Sequence, residues 1–213
     1  MRRASLLLVA AAMTGCSDDT RQVPRTLVDG SSARRPPVEL EGVDRAVLTR
    51  ARIVDESAVD RESILTGCGS ASGVVVERVG ARGRSVTFRG TEPGDLLACD
   101  AVAASATERA WCGHAYARLR SGILRDPRLS VTCRDGDDEP VGFAWVQPRP
   151  AAAYVVVAGD GYDEVYRVDG GMPVRVTTGN VDLVTASAGF SVSEHAQDGR
   201  RLRSYELEAR VSG

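Results

Sequence analysis

Apolar and polar positions alternate with a period of two through most of the chain beyond residue 74, and the pattern predicts strands. Residues 85–89 (SVTFR) alternate one for one. Residues 74–79, 96–102, 109–119, 129–133 and 142–146 read as further strands, each bounded by Gly, Pro or Asp. Residues 154–158 and 164–168 flank Asp160-Gly161 as a hairpin, and 174–178 follow Gly170-Gly171-Met172. Pairing 174–178 with 164–168 sets Val168 against Val174 and Tyr166 against Val176, which collects one apolar face. The stretch 38–66 is mixed. Val47, Thr49, Ala51 and Ile53 alternate as a strand, whereas Val43, Val47 and Val54 fit a helical stripe. A strand over 46–54 and a short helical turn begun by Ser57 are expected there. Residues 103–109 (AASATER) suit a loop or a single helical turn.

The last hairpin carries the sharpest register. Asp198-Gly199 is a type I′ turn dipeptide, and a two-residue loop there pairs Phe190 with Leu207, Val192 with Tyr205, Ala188 with Ala209 and Ala186 with Val211. Glu194 falls beside Arg203. The other face receives Ser191 with Glu206, Ser193 with Ser204 and Ser187 with Arg210. A slip by one would set Phe190 against Glu208 and Val192 against Glu206, so the pattern selects one core face and one wet face.

The N-terminus follows a different rule. Arg2 and Arg3 precede an apolar run, ASLLLVAAAM, which is too short for a permanent membrane span of about 20 residues. The run ends in Thr14-Gly15-Cys16. The stretch Met13-Thr14-Gly15-Cys16 resembles the lipobox of bacterial lipoproteins. That resemblance implies removal of residues 1–15, lipid on Cys16 and an extracytoplasmic position at the cell membrane. Residues 16–37 are polar, with Pro, Gly and Ser and no apolar period, and read as a flexible tether. Pro148-Arg149-Pro150 is the best candidate link between two folded parts, 38–147 and 151–213.

Composition narrows the chemistry. The chain has 213 residues, 26% charged and 43% apolar, which suits globular structure. All 27 basic residues are arginine, interleaved with 29 acidic ones, for a formal net charge of −2. Loss of Arg2 and Arg3 makes the balance more negative. A phosphate-binding surface needs a basic excess or stripe, so nucleic acid is not an expected partner. Once Cys16 carries lipid, Cys68, Cys99, Cys112 and Cys133 remain, an even number that reads as two disulfides in an exported chain. Four cysteines allow three connectivities. A hairpin of 96–102 with 109–119 that puts Cys99 opposite Cys112 favours Cys99–Cys112 with Cys68–Cys133.

No catalytic signature is complete. Gly69-Ser70-Ala71-Ser72-Gly73 resembles a nucleophile elbow but has Ala71 where the serine belongs, and reads as a small-residue loop. His114 lies in a strand without metal-site spacing, and His195 reads as a solvated turn residue. Asp135, Asp137, Asp138 and Glu139 form an acidic loop with the ligand type for Ca²⁺ but not the EF-hand spacing, so a solvated hairpin loop is the first expectation. Trp111, Tyr116, Phe143 and Trp145 are expected to fill the core and the interface between the folded parts, with an aromatic groove for glycan or peptide as the alternative. The expectation is therefore an all-β chain in two β-sandwich-like, immunoglobulin-like units, stapled by disulfides. It is expected to be a non-catalytic binding or scaffolding module with no cofactor. Its partners are the membrane, through lipid, and a protein or glycan of the envelope. The alternatives are a hydrolase of wall or glycan substrates using two carboxylates in a cleft, and a structural spacer.

Overall fold

The computed structural model describes residues 38–54, 75–89, 92–103, 109–120, 123–124, 129, 133–168 and 171–211. These residues are all-β, with no helix among them. The strands in chain order are β1 (Ala46–Leu48), β2 (Arg50–Val54), β3 (Val75–Val79), β4 (Gly83–Arg89), β5 (Asp95–Ala103), β6 (Arg109–Arg120), β7 (Ile123–Leu124), β8 (Cys133–Arg134), β9 (Pro140–Val146), β10 (Tyr154–Ala158), β11 (Asp163–Arg167), β12 (Val174–Thr178), β13 (Val181–Asp182), β14 (Ser187–His195) and β15 (Arg201–Arg210).

Strands β2 to β7 form an antiparallel meander in sequence order. A second sheet has the order β1-β11-β10-β14-β13, with β15 along the other edge of β14. A small third sheet, β12-β9-β8, lies between these two. Its strand β9 is why the layers hold together. Alternate residues face opposite sheets, and the sequence PVGFAWV is apolar on both faces. Ala144 and Val146 join Val155, Val157, Phe190 and Val192 of the second sheet, together with Val174 and Val176 of β12. Trp145 packs on Leu96, Ala98, Ala115 and Ala117 of the meander, and Phe143 packs on Val102. A strand buried on both faces reads as a continuous apolar run, as β9 does. The layers approach closely. A Cβ at Gly142 would lie 2.8 Å from Ala188 Cβ, and one at Gly83 would lie 2.7 Å from Phe143 Cζ. The outer face of the second sheet is covered by the N-terminal segment, where Leu40, Val38 and Val43 meet Tyr154, Val156 and Val165.

The expected strand over 46–54 exists but is divided at Thr49. Its first part pairs parallel to β11 in the second sheet, and its second part pairs with β3 in the meander. The helical turn at Ser57 and residues 104–108 lie outside the described residues. The expected pairing of 174–178 with 164–168 is corrected. Val174 pairs with Val146 and Val176 with Ala144, because β9 offers β12 a partner apolar on both faces. Tyr166 and Val168 still meet Val174 and Val176, but across layers rather than within one sheet. This β9–β12 pairing spans Pro148-Arg149-Pro150.

The last hairpin has the expected register from Ser187–Arg210 to Glu194–Arg203, including Phe190 with Leu207 and Val192 with Tyr205. The turn differs. The register shifts at His195, which pairs with Arg201, and Ala196 N–H donates to Arg200 C=O at 2.9 Å. Gly199 has φ 89°, while Asp198 keeps an ordinary negative φ. This is a three-residue loop with glycine in the left-handed position, the other common hairpin closure, and it needs only one positive φ.

The expected disulfides Cys99–Cys112 and Cys68–Cys133 are also corrected. The β5–β6 register sets Cys99 against His114. A bulge between Asp100 and Ala101 leaves Cys112 as the extra residue between Gly113 and Trp111. Cys112 is bonded to Cys133, with Cα atoms 5.5 Å apart, so the bridge fastens the meander to the small sheet. Cys99 is buried and also disulfide-bonded. Cys16 and Cys68 lie outside the described residues.

Candidate functional site

Buried polar groups tie the layers together. Arg175 of β12 and Asp100 of β5 are both fully buried. Arg175 Nη2 donates to Asp100 Oδ2 at 2.7 Å, and its guanidinium lies 5.4 Å from the Trp145 ring centroid. Glu164 of β11, also buried, accepts hydrogen bonds from Tyr166 Oη at 2.5 Å, Thr177 Oγ1 at 2.6 Å and Ala81 N–H at 2.6 Å. Burial, with Glu164 alongside, pushes the Tyr166 hydroxyl well above its ordinary range. Burial also lowers the nearby Arg78 to about 10. Glu77 of β3 is held by Arg52 and Arg84. These carboxylates are consumed in joining strands.

His195 is not a solvated turn residue. It has no exposed surface. Its Nδ1 lies 3.1 Å from Gly199 C=O and its Nε2 lies 3.0 Å from Ser193 Oγ. A carbonyl only accepts, so in the neutral ring Nδ1 carries the proton and Nε2 accepts from the serine. The same carbonyl accepts Glu41 N–H at 3.2 Å, so the histidine fastens the hairpin loop and the N-terminal segment together. His114 is exposed on β6. In the acidic loop, Asp135 Oδ1 accepts the N–H groups of Asp137 and Glu139, each at 3.0 Å, while Asp138 adopts φ 64° and meets Arg134. Among the described residues no three His, Cys, Asp or Glu side chains form a group able to hold a metal ion. Phe143 and Trp145 are core residues and Tyr116 is half-exposed; the Trp111 side chain and residues 69–73 lie outside what is described.

Among the described residues, one surface feature with binding geometry is a cleft of about 430 Å³ where the three sheets converge. Such a volume falls within the usual range for ligand sites, roughly 300–1,000 Å³. Leu119 and Ile123 form one wall. Pro148 and Pro150 face Met172 and Pro173 on the other, and Gln147, Arg149 and Arg203 supply the polar groups. Ile123 is 61% exposed and Met172 38%. Gln147 builds the floor. Its Oε1 accepts Leu124 N–H at 2.5 Å and its Nε2 donates to Gly171 C=O at 3.3 Å, so one amide spans both walls.

Glu194, fully buried beneath the cleft, orders the cationic side. Its Oε1 accepts from Arg203 Nη2 at 2.6 Å and from Tyr205 Oη at 3.2 Å, and its Oε2 accepts Arg149 N–H at 3.1 Å. The Arg203 guanidinium stacks 4.5 Å from the Tyr205 ring centroid. Burial and the adjacent Glu194 raise the Tyr205 hydroxyl to about 12. Glu194 beside Arg203 was legible in the hairpin register. The cleft was not, since its walls come from four separate stretches. The signal that could have found it is Pro148-Arg149-Pro150 facing Met172-Pro173, two proline-bearing turns beside an arginine. No protein-family model, curated protein or solved structure matches this chain.

Proposed function

We propose that this protein is a non-catalytic binding module, held at the extracytoplasmic face of a membrane by lipid on Cys16, and that it engages an envelope partner through the cleft between Ile123 and Met172. The observation that carries this reading is the cleft's lining. It combines accessible aliphatic and prolyl surface with arginine and glutamine, and includes no carboxylate among the described residues. Apolar contact area with a few fixed polar groups is what recognition requires. A glycosidase cleft would instead present two carboxylates ~5–10 Å apart. The lipid assignment draws its support from Thr14-Gly15-Cys16 after the apolar run.

Two measurements test the reading. Cys16→Ser in the producing cell should move the chain from the membrane fraction to the soluble fraction; unchanged partitioning and mass refute the anchor. Photo-cross-linking of the full chain in envelope preparations should give an adduct that Ile123→Asp with Met172→Asp abolishes. An adduct of undiminished yield places the partner elsewhere.

A further inference from the structure

We infer that the cleft recognises an internal peptide segment in which an aliphatic side chain lies next to Asp or Glu. This rests on the reading of the cleft as the binding surface and adds the chemistry of its occupant. The charges at the site do not cancel. Arg203 is neutralised by the buried Glu194 at 2.6 Å. Arg149 gives its backbone N–H to the same carboxylate, but its guanidinium has no ion-pair or hydrogen-bond partner among the described residues. Among the described residues the site therefore carries one uncompensated positive charge at the rim of an apolar slot. An occupant that matches it has one carboxylate adjacent to an aliphatic group.

The proline-bearing wall disfavours capture of a terminal carboxylate. Capture of a chain terminus generally relies on several convergent backbone N–H groups. Here Pro148, Pro150 and Pro173 contribute none, and the N–H of Arg149 is already given to Glu194. A side-chain carboxylate, reaching out to the exposed guanidinium of Arg149, needs no such nest. The proline walls also favour an extended segment, which lies along flat, donor-poor surface without leaving N–H groups buried and unpaired.

The test is a titration of the full chain with four short peptides, read by isothermal titration calorimetry at low ionic strength. The probes are acetyl-Ala-Leu-Glu-Ala-amide, its Gln analogue, its analogue with Ser in place of Leu, and acetyl-Ala-Leu with a free C-terminus. The Glu peptide should bind about threefold to fivefold more tightly than the Gln peptide, the range of an exposed ion pair, and added salt should erase the difference. Arg149→Gln should bring that ratio to one. The Ser analogue should bind more weakly than either. Ile123→Ser, at a largely exposed position, should weaken the Glu and Gln peptides equally. A Glu/Gln ratio of one in the wild type, a ratio that survives Arg149→Gln, tighter binding of the free C-terminus, or no binding of any probe at 5 mM overturns the inference. If the peptides bind alike while Ile123→Asp with Met172→Asp still abolishes the envelope adduct, the binding reading stands and only the acid preference falls.

Discussion

Replacing Arg175 by methionine tests how strongly the Arg175–Asp100 ion pair couples the small sheet to the meander. Arg175 and Asp100 have no exposed side-chain surface, and Asp100 Oδ2 receives both Nη2 at 2.7 Å and Nε at 3.2 Å. Methionine retains much of the stem and removes the charge that faces the buried Asp100 carboxylate. Removing one partner of such a pair costs about 3–5 kcal/mol. Asp100→Val removes the carboxylate that faces the buried guanidinium and should cost a similar amount. The double variant removes both charges of the pair, so the loss reduces mainly to the packing mismatch and the Trp145 contact, the latter about 0.5–2 kcal/mol. Its loss should be about 2 kcal/mol or less, far below the summed single losses. The assay is urea unfolding of the full chain followed by tryptophan fluorescence, with a thermodynamic cycle built from the four proteins. Total stabilities of ~5–15 kcal/mol leave room to resolve these differences. Single losses that simply add in the double variant would refute the reasoning, because charges that do not see each other do not couple.

Three further outcomes follow from the geometry. Phe190→Ala should cost about 3–5 kcal/mol because Phe190 is fully buried, whereas Ser191→Ala on the wet face should change stability by no more than about 0.5 kcal/mol; equal losses in unfolding experiments would contradict the face assignment. Non-reducing proteolysis and mass spectrometry should recover the Cys112 peptide joined to the Cys133 peptide, and Cys112→Ser should cost about 3 kcal/mol in the chain-entropy model for a separation of 21 residues; a Cys99–Cys112 adduct would overturn the β5–β6 bulge. Tyr205 ionises later when folded than when unfolded, so its contribution is intact below pH 10 and is lost as the pH rises to about 12. Tyr205→Phe should flatten the decline of stability over that interval, and an identical decline in both proteins would show that the hydroxyl is not shielded.

Local pairing was legible where an alternating pattern meets a turn. The register of β14 and β15 followed from Phe190, Val192, Tyr205 and Leu207 alone, because a slip by one residue puts Glu206 and Glu208 into the core. The β10–β11 hairpin was legible for the same reason. The Cys99 register was not, because a bulge adds a residue without disturbing the apolar alternation on either side. The middle position of β9 left a signal in the unbroken apolar run of 141–146, yet that run does not name its neighbours. Which strand lies beside it depends on contacts thirty residues away. The site fared likewise. Gln147 shows as an ordinary polar residue after a strand, and only the fold brings Leu124 and Gly171 to its two ends.

The division at Thr49 has a mechanical consequence. Tension applied through residues preceding Val38 reaches first the segment over Tyr154 and Val156, then the three-residue strand β1, before it reaches β2. Each of these fastenings is small. Leu40, the Glu41–Gly199 hydrogen bond and the β1–β11 pairing can yield in sequence while β9, β12 and the Cys112–Cys133 bridge stay in place. The N-terminal side of the fold is thus a peelable strip on a cross-linked body, and a modest pull should lengthen the chain by a short, recoverable step before the layered core is strained.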